Sequence, residues 1–68
     1  MTPDTRRALE WVRDNDGQSF DEFNRRFGDM ARLHRMKLGD RRLIRITGDN
    51  RLYLTEVGRD ELENPQRA

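Results

Sequence analysis

The stretch RLIRITGDNRLYLTEVGRDEL, residues 42–62, decides how the chain folds. Leu43 to Thr47 alternates with the two-residue period of a strand, Ile44 and Ile46 on one side and Arg45 on the other. Gly48, Asp49 and Asn50 tolerate positive φ and turn a hairpin. Arg51 to Leu54 returns, with Leu52 and Leu54 on one side and Tyr53 on the other. Thr55 is placed to cap a last helix from Glu56 to about Glu63, which NPQRA at 64–68 ends. A two-stranded hairpin is marginal in water by itself. The ribbon must therefore rest on what precedes it.

The preceding residues are patterned as three helices. Thr2 is an N-cap and Pro3 the first helical residue, where a missing N–H costs nothing. The first helix runs to about Asn15 with Ala8, Leu9, Trp11 and Val12 as its apolar stripe. DNDG at 14–17 stops it, and Gly17 suits a left-handed turn. Ser19 and Glu22 form a capping box for a second helix, on which Phe20, Phe23 and Phe27 recur at spacings of three and four. Gly28 and Asp29 close that helix, and Asp29 is expected to cap a third, from near Met30 to between Leu38 and Arg41. At about 100° per residue, Met30, Ala31, Leu33, Met36 and Leu38 are expected to face inward, with Arg32, Arg35 and Gly39 opposite. Leu43, Ile44, Ile46, Leu52, Leu54, Val57 and Leu62 complete the expected core, together with Trp11 and the three phenylalanines.

The 68 residues make one domain, with an ordered core expected over about 4–63. Charged residues reach 40% against 32% hydrophobic, so the core is thin, yet the apolar residues fall periodically and both signs of charge are present. No cysteine is present, which excludes disulfides and thiolate chemistry. No apolar run is long enough to span a membrane and no signal-type segment opens the chain, so a cytoplasmic location is expected. The net charge of +1 hides a division: residues 1–24 sum to −3, residues 25–45 to +6 and residues 46–68 to −2. A basic middle between acidic ends suggests one positive face for an anionic partner.

The order helix, helix, tight turn, helix, strand, turn, strand, helix, together with RRLIRITGDNRLYLTEVGRDEL at 41–62, resembles the winged helix-turn-helix domains of bacterial and archaeal transcription regulators. Leu43-Ile44 matches the strand start, Gly48 the wing turn, Tyr53-Leu54-Thr55 the returning strand and cap, and Gly58 and Leu62 the helix that follows. Three departures stand out, the first being that the leucine expected near the start of the third helix's inward stripe is replaced by a shifted set, Leu33 and Met36. Arg42 occupies the place where many members have glycine before the Leu-Ile pair, and Ser and Thr are absent from residues 29–38. The resemblance implies an α+β fold: a three-helix body, a two-stranded C-terminal wing and a short final helix. It also implies that the third helix enters the major groove of duplex DNA.

On that reading Arg32 and Arg35 fork onto guanine or clamp phosphates, while Arg25 and Arg26 of the second helix touch the sugar-phosphate backbone. Arg41, Arg42 and Arg45 do the same from the base of the ribbon, and Arg51 from beside the hairpin tip, unless it pairs with Asp49. His34 is expected at the boundary of the inward face. Asp14, Asp16, Asp21 and Glu22 lack the spacing of a calcium loop and have helix-terminus roles. No nucleophile–base pair, phosphate loop or metal cluster is spaced in the sequence, so neither an enzyme nor a cofactor is expected. The leading expectation is a small DNA-binding transcriptional regulator, monomeric or a weak homodimer. The alternative is a winged-helix module that binds an acidic protein surface without DNA, since one fold serves both.

Overall fold

Thr2 starts the fold as its position requires. In the computed structural model, which describes residues 2–63, its hydroxyl oxygen accepts the Thr5 N–H at 3.2 Å and Pro3 opens α1, Pro3–Asp14. Asn15 closes α1: its backbone N–H and its side-chain amide both donate to the Trp11 carbonyl. Ser19 caps α2, Phe20–Phe27, by accepting the Glu22 N–H. Only this half of the expected capping box is seen, because the Glu22 carboxylate takes the Arg25 guanidinium at 2.7 Å.

Gly28, at φ +58°, leads into a 3₁₀ turn, Gly28–Met30, and then α3, Ala31–Asp40. Met30 rather than Asp29 holds the cap position, and no side chain caps this helix. The buried stripe of α3 is Ala31, His34 and Leu38, which continues the phase of Phe27. Met30, Leu33 and Met36, expected inside, are exposed. A helix buries one stripe, and here the contacts at its two ends choose it. Phe27 packs with Trp11, Phe23 and the His34 ring at the start, and Leu38 is held in the core at the end.

The end of α3 is a Schellman motif. The Leu43 N–H donates to the Leu38 carbonyl at 2.9 Å and the Arg42 N–H to the Gly39 carbonyl at 3.0 Å, with Arg42 left-handed at φ +59°. The antiparallel strands β1, Ile44–Ile46, and β2, Leu52–Leu54, follow, with Ile44 opposite Leu54, Arg45 opposite Tyr53 and Ile46 opposite Leu52. Their turn closes where the Asn50 N–H meets the Thr47 carbonyl. Asn50, not Gly48, takes the left-handed conformation, at φ +62°.

The hairpin is not a lone ribbon. The connector between α1 and α2 runs antiparallel beside β2. The Gly17 N–H donates to the Leu52 carbonyl, the Leu52 N–H to the Gln18 carbonyl and the Phe20 N–H to the Asn50 carbonyl, all at 2.8–2.9 Å. The Asp16 carboxylate accepts the Leu54 N–H at 2.8 Å. On the far side, α4, Glu56–Glu63, is capped by Thr55, whose oxygen accepts the Gly58 N–H while its hydroxyl donates to the Arg42 carbonyl. Gly58 lies so close to the Leu43 carbonyl that a Cβ has no room.

The result is an α+β domain of three helices, a β-hairpin and a short C-terminal helix, with α1 packed against α3, β2 and α4. Ala8, Leu9, Val12, Phe23, Ala31, Leu38, Leu43, Ile44, Leu52 and Leu62 form its core, with Trp11, Phe20, Phe27 and Leu54 packed at the margin. Ile46 and Val57, also expected inside, are exposed. Ile46 shares the strand face of the buried Ile44 but lies one pair nearer the hairpin turn. No helix of the described residues is long and apolar enough to cross a membrane, and the stop expected at 64–68 lies outside them.

Candidate nucleic-acid interface

With Ala31, His34 and Leu38 buried, the helical period of about 100° per residue places Met36, Asp40 and Leu33 on the outward face of α3. Arg32 and Arg35 lie on one flank, where they line a shallow hollow with Met36 and Ile46 of β1. Lys37 lies on the other, where it lines an open cleft with Arg41, Asp40 and Thr2 at the start of α1. Leu33 is 41% exposed, Met36 53%, Met30 47% and Ile46 42%. The face thus has an aliphatic ridge with cations on both sides.

The eight arginines singled out by sequence are held in different ways. Arg32 is exposed at the rim of the hollow. Arg35 is half-buried, its guanidinium carbon 4.2 Å from the centroid of Phe20 and its Nε without a hydrogen-bond partner. It bridges α3 to the first turn of α2. Arg25 is exposed but paired with Glu22, and Arg26 lies over Phe27 at 5.0 Å. Arg41 and Arg42 are exposed at the end of α3. Arg45, on the hairpin face away from Ile44, lies over Tyr53 at 5.4 Å. Arg51 is fixed twice, by the Asp49 carboxylate at 3.2 Å and by the Gly17 carbonyl at 2.8 Å. The hollow brings Arg32 and Arg35 together, whereas Arg51 is spent on joining the turn to the connector.

Charge compensation is uneven. The ion pairs of the described residues engage Arg6, Arg7, Arg13, Arg25 and Arg51. Arg26, Arg32, Arg35, Lys37, Arg41, Arg42 and Arg45 make none. Seven consecutive basic residues of the chain thus meet no carboxylate, although Asp29 and Asp40 lie among them. At the turn, the Thr47 hydroxyl donates to Asp49 and holds its carboxyl below the usual range, with Arg51 adding to the effect and desolvation opposing it.

Sequence reasoning missed Lys37, Met30, Leu33, Met36 and Ile46 as surface elements of this face. The signal was available in the phase of Phe27 and Leu38, which fixes what α3 turns outward. His34 is 4% exposed, deeper than expected, and its Nδ1 has no hydrogen-bond partner. Among the described residues no three His, Asp or Glu side chains converge as metal ligands. Comparison of the chain with protein-family models, curated proteins and solved structures returns no match.

Proposed function

We propose that this protein is a winged helix-turn-helix DNA-binding protein, a transcriptional regulator that lays α3 in the major groove of duplex DNA. One observation carries the reading: the basic residues from Arg26 to Arg45 have no carboxylate partners, while the arginines that form ion pairs among the described residues lie before or after that stretch, in α1, at Arg25 of α2 and in the hairpin turn. Uncompensated cations at the protein surface are a footprint for a polyanion. On this reading Arg32, exposed on α3, donates to base edges, and Arg26, Lys37, Arg41, Arg42 and Arg45 contact phosphates. The test is fluorescence anisotropy with a labelled duplex across salt concentrations. Each neutralised phosphate contributes about −0.9 to the slope of log K against log salt. Binding with such a slope, weakened by Arg32→Glu, supports the reading. Absence of binding even at low salt overturns it.

A second reading draws on a different observation. Met30, Leu33, Met36 and Ile46 are exposed together, and clustered apolar side chains with arginine are the composition of protein interfaces. On that reading the same face docks an acidic protein. A single protein recovered in equal proportion after nuclease treatment, with no duplex binding by the purified chain, selects it.

A further inference from the structure

We propose that the aliphatic ridge of α3, with Ile46 beside it, recognises the C5-methyl groups of thymine on the floor of the major groove, so that the protein prefers A·T sequences. The inference rests on the duplex-DNA reading above and gives it a specificity.

The hydrogen-bonding route to base recognition is nearly empty on this helix. Asn, Gln, Ser and Thr do not occur between Ala31 and Asp40. Arg35 is stacked on Phe20 with its Nε buried, which constrains the fork that would grip guanine. Arg32 is left as the free donor on that flank. Asp40 reaches the outward face only at the C-terminal end, in the cleft beside Lys37 and Arg41.

What the face offers instead is methyl and thioether surface. Among the described residues, four of the five large exposed hydrophobic side chains lie between residues 30 and 46. Leu33 and Met36 stand on the outward face, Ile46 shares the hollow with Met36, and cations line both sides. A major groove has the complementary cross-section. Its walls are phosphates, and its floor presents a thymine methyl at each A·T pair as the one apolar group there. A second copy of the chain fits less well, since ridge against ridge sets Arg32 and Arg35 against their own images.

The experiment compares duplexes of equal length at fixed salt by anisotropy: an A·T repeat, the same repeat with deoxyuridine for every thymine, a G·C repeat, and that repeat with 5-methylcytosine. The uracil duplex removes only the methyl, and methylcytosine restores one in the same groove. Loss of a buried methyl lowers affinity by roughly fourfold per contact. The expected order is thymine tighter than uracil and methylcytosine tighter than cytosine. Leu33→Gln and Met36→Gln, both at exposed positions, should bring the thymine-to-uracil affinity ratio towards one, whatever their overall affinity. Equal affinity for thymine and uracil duplexes defeats the inference and leaves the DNA reading standing. A thymine-to-uracil ratio that persists unchanged in both Gln variants also defeats it. Failure of the wild type to bind any duplex defeats the DNA reading and this inference with it.

Discussion

Gly58 of α4 rests directly on the carbonyl of Leu43, and a side chain at position 58 would also strike Leu54 Cδ1. The Thr55 N–H donates to the same Leu43 carbonyl at 3.2 Å, so the helix cannot back away without breaking a bond. Gly58→Ala is expected to cost about 2–3 kcal/mol, in the range of overpacked cores. For a domain of this size that lowers the midpoint of a thermal melt by roughly 10–20 °C. An unchanged midpoint would show that α4 is not seated as described.

Arg42 occupies a left-handed conformation that favours glycine by roughly 1–2 kcal/mol over other residues. Arg42→Gly is therefore expected to raise stability by about 1 kcal/mol after the entropy of a freer unfolded chain is counted. Arg42→Ala keeps the strained backbone and should not. Thermal melts of the pair separate a backbone effect from loss of the guanidinium, and equal behaviour of the two variants contradicts the Schellman assignment.

His34 is enclosed with an unpartnered Nδ1, its ring edge-on to Phe27 at 5.6 Å. An unsatisfied buried polar atom costs about 1–3 kcal/mol. His34→Leu removes that atom and keeps most of the volume. Chemical denaturation should give a gain of about 1 kcal/mol. A loss larger than that would mean the imidazole makes a bond essential to the core.

The hairpin turn should respond to acid. The carboxyl pKa of Asp49 is lowered in the fold, chiefly by the Thr47 hydroxyl and less by Arg51. A lowered folded pKa gives stability that is present above the ordinary carboxylate value, about 3.9, and lost as pH falls through the folded value. The Thr47 and Arg51 amide resonances should therefore shift below about pH 4, and Asp49→Asn should abolish that response. Amide shifts that titrate identically in the variant would assign the response to another group.

Three of the expected helix caps were legible in the sequence, whereas the Asp29 cap and the Glu22 half of the capping box do not form. Thr2, Ser19 and Thr55 cap helices as their positions suggest, and Gly58 sits where close approach demands it. The phase of α3 was legible only through Phe27 and Leu38 at its two ends. Counting apolar residues favours Met30, Leu33 and Met36, whereas the fold buries the small Ala31 and the polar His34, which carry little hydrophobic signal. The strand-like connector was silent, because Gly17, Gln18 and Phe20 pair through backbone groups that leave no side-chain pattern. At the candidate site, charge was readable along the chain. How each arginine is engaged was not, since the partners Phe20 for Arg35 and Gly17 for Arg51 lie far away in sequence.

The pairing of the connector with β2 ties residues 16–20 to residues 50–54. During synthesis, therefore, α1 and α2 emerge from the ribosome before the segment that fixes their junction exists. Closing so distant a loop comes late and slows folding relative to purely local helix pairing. The newborn N-terminal half must wait, greasy side open, until Leu54 has cleared the exit tunnel.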